Sequence, residues 1–134
     1  MKELLDILDE STNLYNHLFE LEQQKYESLL KNDLVKLDEV VAKEQVAYLK
    51  MRGLEQKREK LVTSLGFKDK TLKEIIELIT DNEYKSKLTE KYKELNKLIL
   101  DIKNTNSLCK TLIEARLQGI ENKDRRNKCL DQLF

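Results

Sequence analysis

Apolar residues recur at threes and fours along most of the chain, which is the period of one helix face. Leu4, Leu8, Tyr15, Leu18, Tyr26 and Leu29 form the first stripe, widened by Ile7, Leu14 and Phe19 and interrupted by Ser11 and Glu22. It predicts a helix over residues 3–30, wide enough in its apolar face to meet more than one neighbour. Lys31-Asn32-Asp33 breaks the pattern. Asn and Asp side chains bond nearby backbone amides and so favour turns and helix starts. A second stripe, Leu37, Val40, Val41, Ala47, Tyr48, Met51, Leu54, Leu61, Val62 and Leu65, predicts a helix over residues 34–65, with Glu44 and Arg58 among its apolar positions.

Gly66 stands where a helix end needs a residue that tolerates positive φ. Thr71-Leu72-Lys73-Glu74 then reads as a capping box and opens a short helix carrying Leu72, Ile75, Ile76 and Ile79. The same signal recurs at Thr80-Asp81-Asn82-Glu83 and opens the last helix. Its seam runs through Tyr84, Leu88, Tyr92, Leu95, Ile99, Ile102, Asn106, Cys109, Ile113, Leu117 and Ile120. A lone seam asparagine either fixes register or lies at the edge of the contact. Gly119 is expected to end or fray this helix. Residues 122–128 are polar and mostly basic, and the chain closes on the apolar Cys129-Leu130-Asp131-Gln132-Leu133-Phe134. That tip either docks on the bundle or binds something else.

Lengths give the architecture. A three-residue link forces the first two helices antiparallel. The expected fold is all-α, an elongated antiparallel bundle or coiled coil of three long helices plus a short connecting helix. Residues 1–134 read as one domain, with 119–134 a mobile C-terminal segment projecting past the turn at Asn32 or folding over it. Pairing from that turn opposes Glu22 to Glu44. Two facing acids are unfavourable, so at least one is expected at the margin or against a lysine such as Lys43.

Composition supports continuous helix, because the chain has no proline and only three glycines, the residues that punctuate turns. Net charge is zero, which argues against nucleic-acid binding by counterion release. Residues 1–24 carry six acids and one base, and residues 103–134 seven bases and four acids. This asymmetry reads first as solvated helix faces, and otherwise as attraction between the first helix and the last or as an acidic surface for a basic partner. No apolar run suits a membrane span, and the acidic start does not suit a signal peptide. The expected location is therefore cytoplasmic. Cys109 and Cys129 lie too far apart on one helix for a disulfide. His17 has no partner at ligand spacing, so no metal or cofactor is expected. No nucleophile motif, phosphate loop or convergent polar set points to an enzyme. Arg58 reads as a snorkelling or salt-bridged structural residue. What remains is protein–protein interaction through amphipathic helices.

The segment from Glu20 to Gly66 resembles the FlgN family of flagellar export chaperones. The resemblance lies in the acidic Leu-x-x-Glu helix, the Asn32-Asp33 turn, and a lysine- and glutamate-rich helix ending in Leu54-Glu55, Arg58, Leu61, Leu65 and Gly66. A short helix and then a long one follow in the family order over residues 3–120. Where members have two asparagines three apart, this chain has Asn104 and Asn106. The resemblance implies a cytosolic chaperone that holds the amphipathic C-terminal helix of the hook–filament junction proteins FlgK and FlgL before export. It also implies delivery to the export gate protein FlhA. Some members dock there through a C-terminal tyrosine, and this chain has none after Tyr92. Members bind partners largely through the C-terminal region, which here points to Leu112, Leu117, Ile120, Leu130, Leu133 and Phe134. A structural coiled-coil adaptor or dimeric scaffold, and a chaperone for another flagellar cargo, are the alternative readings. Both monomer and homodimer fit the stripes.

Overall fold

The computed structural model describes the backbone of residues 1–133 and the side chains of residues 1–118. It contains four helices, α1 (Lys2–Leu30), α2 (Leu34–Ser64), α3 (Leu72–Leu78) and α4 (Asn82–Leu133), and no strand among the described residues. The all-α expectation is met. The predicted helix limits agree to within one or two residues, except at the C-terminal end. There α4 runs through Gly119 instead of ending at it. A helical glycine costs about 1 kcal/mol relative to alanine. It permits a break without imposing one, and no proline follows to enforce it.

Each break has a local cause. At the first turn Asn32 takes a left-handed φ of 55°. The Asp33 amide donates to the Ser28 carbonyl at 2.9 Å, which closes the end of α1. The Asp33 carboxylate then accepts the Lys36 amide at 3.1 Å and caps α2. After α2, Gly66 has φ 87°. The Phe67 amide reaches back to the Val62 carbonyl at 2.9 Å and the Gly66 amide to Thr63 at 3.1 Å. These bonds occupy carbonyls that a helix end leaves orphaned. The capping box at Thr71 and Glu74 forms as expected. For α4 the cap is Asp81 instead of Thr80, since its carboxylate accepts the amides of Glu83 at 2.9 Å and Tyr84 at 3.3 Å.

The three long helices do not share their contacts equally. α1 packs along its length against both α2 and α4, whose own backbones stay farther apart. α2 is antiparallel to α1, and α4 is parallel to it. Asp9 meets Lys91 at 2.7 Å near one end, and Lys25 meets Asn106 at 3.3 Å near the other, 81 residues away in sequence. Carried to Leu30, that offset places the end of α1 abreast of Thr111. Residues 112–118 of α4 lie past it. The acidic residues 1–24 are therefore ranged along the first half of α4. Asp9–Lys91 is the ion pair between the first helix and the last among the described residues, and parallel packing sets most of residues 103–118 at a different height from the acidic segment.

The apolar core is in two parts. Leu4, Leu8, Val62, Ile75, Ile76, Ile79, Leu88 and Leu95 form the larger, where α3 folds across the end of the bundle. Tyr15, Tyr84 and Tyr92 pack against it. Leu18, Leu21, Val40 and Ala47 form the smaller, midway towards the turn.

Candidate functional site at the turn end of the bundle

Beyond the second cluster the interior turns polar. Glu22 from α1 is fully buried and Glu44 from α2 nearly so, with Lys25 between them. The Lys25 ammonium lies 3.1 Å from both oxygens of Glu22 and 3.2 Å from both oxygens of Glu44. Its remaining contact is the Asn106 carbonyl oxygen of α4 at 3.3 Å. Neither carboxylate lies at the margin; of the two expected outcomes, the meeting with a lysine is the one found. The lysine is Lys25, while Lys43 points outward to Glu39 at 3.2 Å. Helical geometry explains the choice. Lys25 is one turn from Glu22 on the same face, so α1 carries both an acid and its counter-ion into the seam.

An ammonium has three protons, and here three groups take them. Glu22 Oε2 and Glu44 Oε1 are then left buried with no hydrogen bond. Two carboxylates facing one cation carry an excess negative charge. Burial first, and Glu22 second, push the Glu44 carboxyl above its ordinary range. A proton held on Glu44 turns it into a donor. The hydrogen bond it can then make to Glu22 occupies both orphaned oxygens. Buried polar groups specify a partner arrangement only when they are satisfied in this way. Around the cluster, burial raises the Tyr48 hydroxyl and the Cys109 thiol. Cys109 is free, buried and therefore unreactive. Cys129 lies outside the described side chains.

Past this cluster the seam of α4 loses its neighbours. Cys109 is its last buried residue among those described. Leu112 is half-buried, while Ile113 and Leu117 are 41% and 54% exposed. The stripe that packs on α1 thus continues, uncovered, beyond the end of α1. Of the residues singled out in the sequence, Leu112 and Leu117 are on this stretch. Ile120, Leu130, Leu133 and Phe134 lie outside the described side chains. Leu30, Leu34 and Val35, all exposed at the turn, and Leu108 on α4, 52% exposed, add apolar surface at the same end. Sequence reasoning missed these four. Leu34 and Val35 directly follow the cap residue Asp33, which was the available signal.

Arg58 is half-buried and grips Glu55 through two nitrogens at 2.9 and 3.3 Å. It is the structural arginine expected. No group of three potential metal ligands converges among the described residues, and none of their helices is long and apolar enough to cross a membrane.

The order of elements, the capped turns and the uncovered end of α4 describe a helical scaffold. A family model described as FlgN protein matches residues 1–123. The chain belongs to the FlgN family. It is accordingly a flagellar export chaperone in general function, from a family of chaperones instead of enzymes. No curated protein and no solved structure matches it. The FlgN match takes in all four helix starts, both caps around Asn32 and Gly66, and the α4 stripe through Leu117. Within it, the Leu54-Glu55, Arg58, Leu61 pattern has a structural reading. Glu55 and Arg58 clamp one another beside Tyr15, whose hydroxyl is pushed up first by burial and then by Glu55, with Arg58 opposing.

Proposed function

We propose that this FlgN-family chain acts in the cytoplasm and holds the C-terminal amphipathic helix of the junction proteins FlgK and FlgL until export. The end of α4 supplies the binding surface. The observation that carries this reading is the seam of α4 running past the end of α1 with Leu112, Ile113 and Leu117 short of neighbours. A cargo helix laid on that stripe buries it and its own apolar face together, at about 25 cal/mol for each Å² removed from water. Covering the cargo stripe also blocks premature polymerisation, because exposed apolar faces are what associate. Ile120, Leu130, Leu133 and Phe134, outside the described side chains, are proposed as further cargo contacts. Delivery to FlhA proceeds without a tyrosine after Tyr92.

The test is calorimetric titration of purified protein with C-terminal peptides of FlgK and FlgL. A one-to-one complex with helix formation in the peptide is expected. Truncation after Asn122 leaves the bundle folded and weakens binding. Absence of heat at tens of micromolar peptide (about 8 kcal/mol corresponds to micromolar affinity) would contradict the proposal. Unchanged affinity after truncation moves the site onto the bundle body.

A further inference from the structure

A groove of about 650 Å³ runs between α1 and α2, well away from the end of α4. Its floor is apolar, formed by Leu14 and Leu54. Gly53 and the lysines Lys50 and Lys57 line the α2 side, and Glu10 lines the α1 side.

Three features of this groove have no explanation among the described residues. The first is Gly53. It sits in mid-helix, where glycine weakens α2 relative to alanine, yet a Cβ added there meets nothing within 4 Å. Nothing in the fold requires its smallness, whereas a backbone approaching from outside does. The second is the lysine spacing. Lys36, Lys43, Lys50 and Lys57 recur every seventh residue along α2. The first two pair with Glu39. Lys50 and Lys57 have no acidic partner among the described residues, although they border the groove. The third is an exposed apolar row leading into it, Val46 and Leu49, which are 53% and 65% exposed. With Gly53 these keep helical spacing along one line of α2.

We propose that this groove docks an amphipathic helix of a partner protein that carries acidic residues along one edge. A helix fits better than a compact ligand because the groove is open and Val46, Leu49 and Gly53 are spaced for i, i+3 and i+7 contacts. Lys50 and Lys57 stand one heptad apart, roughly 10 Å along the axis. That spacing matches two carboxylates a heptad apart on the incoming helix. Gly53 lets the two backbones close up between those ion pairs. This surface is separate from the end of α4, so it provides a second point of attachment.

The test uses a fluorescein-labelled synthetic 18-residue peptide with a leucine seam, glutamates along one edge and lysines along the other. Fluorescence anisotropy on the full chain is expected to saturate in the micromolar range. A control peptide with the glutamates replaced by lysine is expected to bind at least about tenfold more weakly, which is 1.4 kcal/mol. Gly53→Trp fills the groove and is expected to abolish binding, while Lys50→Glu with Lys57→Glu weakens it by a similar tenfold factor. Gly53→Ala, with free space for its methyl, is expected to raise the thermal midpoint and still weaken the peptide, a split that a merely structural glycine does not produce. The proposal is overturned if the acidic-edged peptide fails to saturate. It is also overturned if Gly53→Trp binds it as well as the parent chain does. The same holds if light scattering finds a dimer of this chain that Gly53→Trp dissociates, which assigns the groove to a second copy.

Discussion

The two ends of the bundle are built on opposite principles. At the end closed by α3, eight apolar side chains from all four helices converge, and Leu4, Ile75 and Leu88 have no exposed surface at all. At the turn end the same three long helices meet around Glu22, Lys25, Glu44 and Asn106. Beyond that cluster Leu29, Val40 and Cys109 are still buried, but Leu30, Leu34, Val35, Ile113 and Leu117 are exposed. Close packing stabilises the first end without regard to partner. The charged cluster contributes little net stability, and its Lys25–Asn106 contact joins α1 to α4 in the observed register. The teaching is a division of labour, in which one end holds the fold and the other leaves a stripe of α4 positioned and free.

The largest effect expected from breaking this comparison is at the closed end. Leu88→Ala should lower unfolding free energy by about 3 kcal/mol, since a core leucine loses both transfer energy and its packed surroundings. Urea denaturation checks it. Lys25→Met should come next, at about 2 kcal/mol, because it strands two buried carboxylates. Adding Glu44→Gln to Lys25→Met should recover part of that loss, and the double-mutant cycle reads the coupling.

Glu44→Gln alone sharpens the contrast in the opposite direction. The folded-state value for Glu44 is raised above 4.5, so the folded chain holds more protons than the unfolded chain in the window between the two. Stability should therefore fall as pH rises from 4.5 through the raised value. The glutamine variant, a permanent stand-in for the protonated acid, should flatten that slope and gain about 0.5 kcal/mol at neutral pH. Unfolding midpoints across the pH range measure it, and an unchanged slope would show that no proton is shared there. The smallest stability effect belongs to the exposed stripe. Leu117→Ser should change unfolding by less than about 0.5 kcal/mol.

Much of the fold was legible because its punctuation is local. Asn32-Asp33, Gly66 and the Thr71 box act within four residues of themselves, and periodicity set the apolar faces between them. Gly119 misled because a breaker type was read as a break. The centrality of α1 was not legible, since a wide stripe states that a helix has several neighbours without saying which. The polar cluster was half legible. Register from the turn brought Glu22 opposite Glu44, but counting acids against Lys43 overlooked Lys25, three residues along the same face. Leu112 and Leu117 were named from the family resemblance; that their stripe outlasts α1 depends on the parallel register fixed by Asp9–Lys91 and Lys25–Asn106.

The most direct measurement is the affinity of a FlgK C-terminal peptide for the parent chain and for a Leu112→Ser, Leu117→Ser double variant, each paired with its own unfolding curve. The predicted result is a loss of at least about tenfold in affinity, 1.4 kcal/mol, with the unfolding midpoint held close to that of the parent. Equal affinity in the two proteins, with both folded, would contradict the claim that the uncovered end of α4 is where this chaperone takes its cargo.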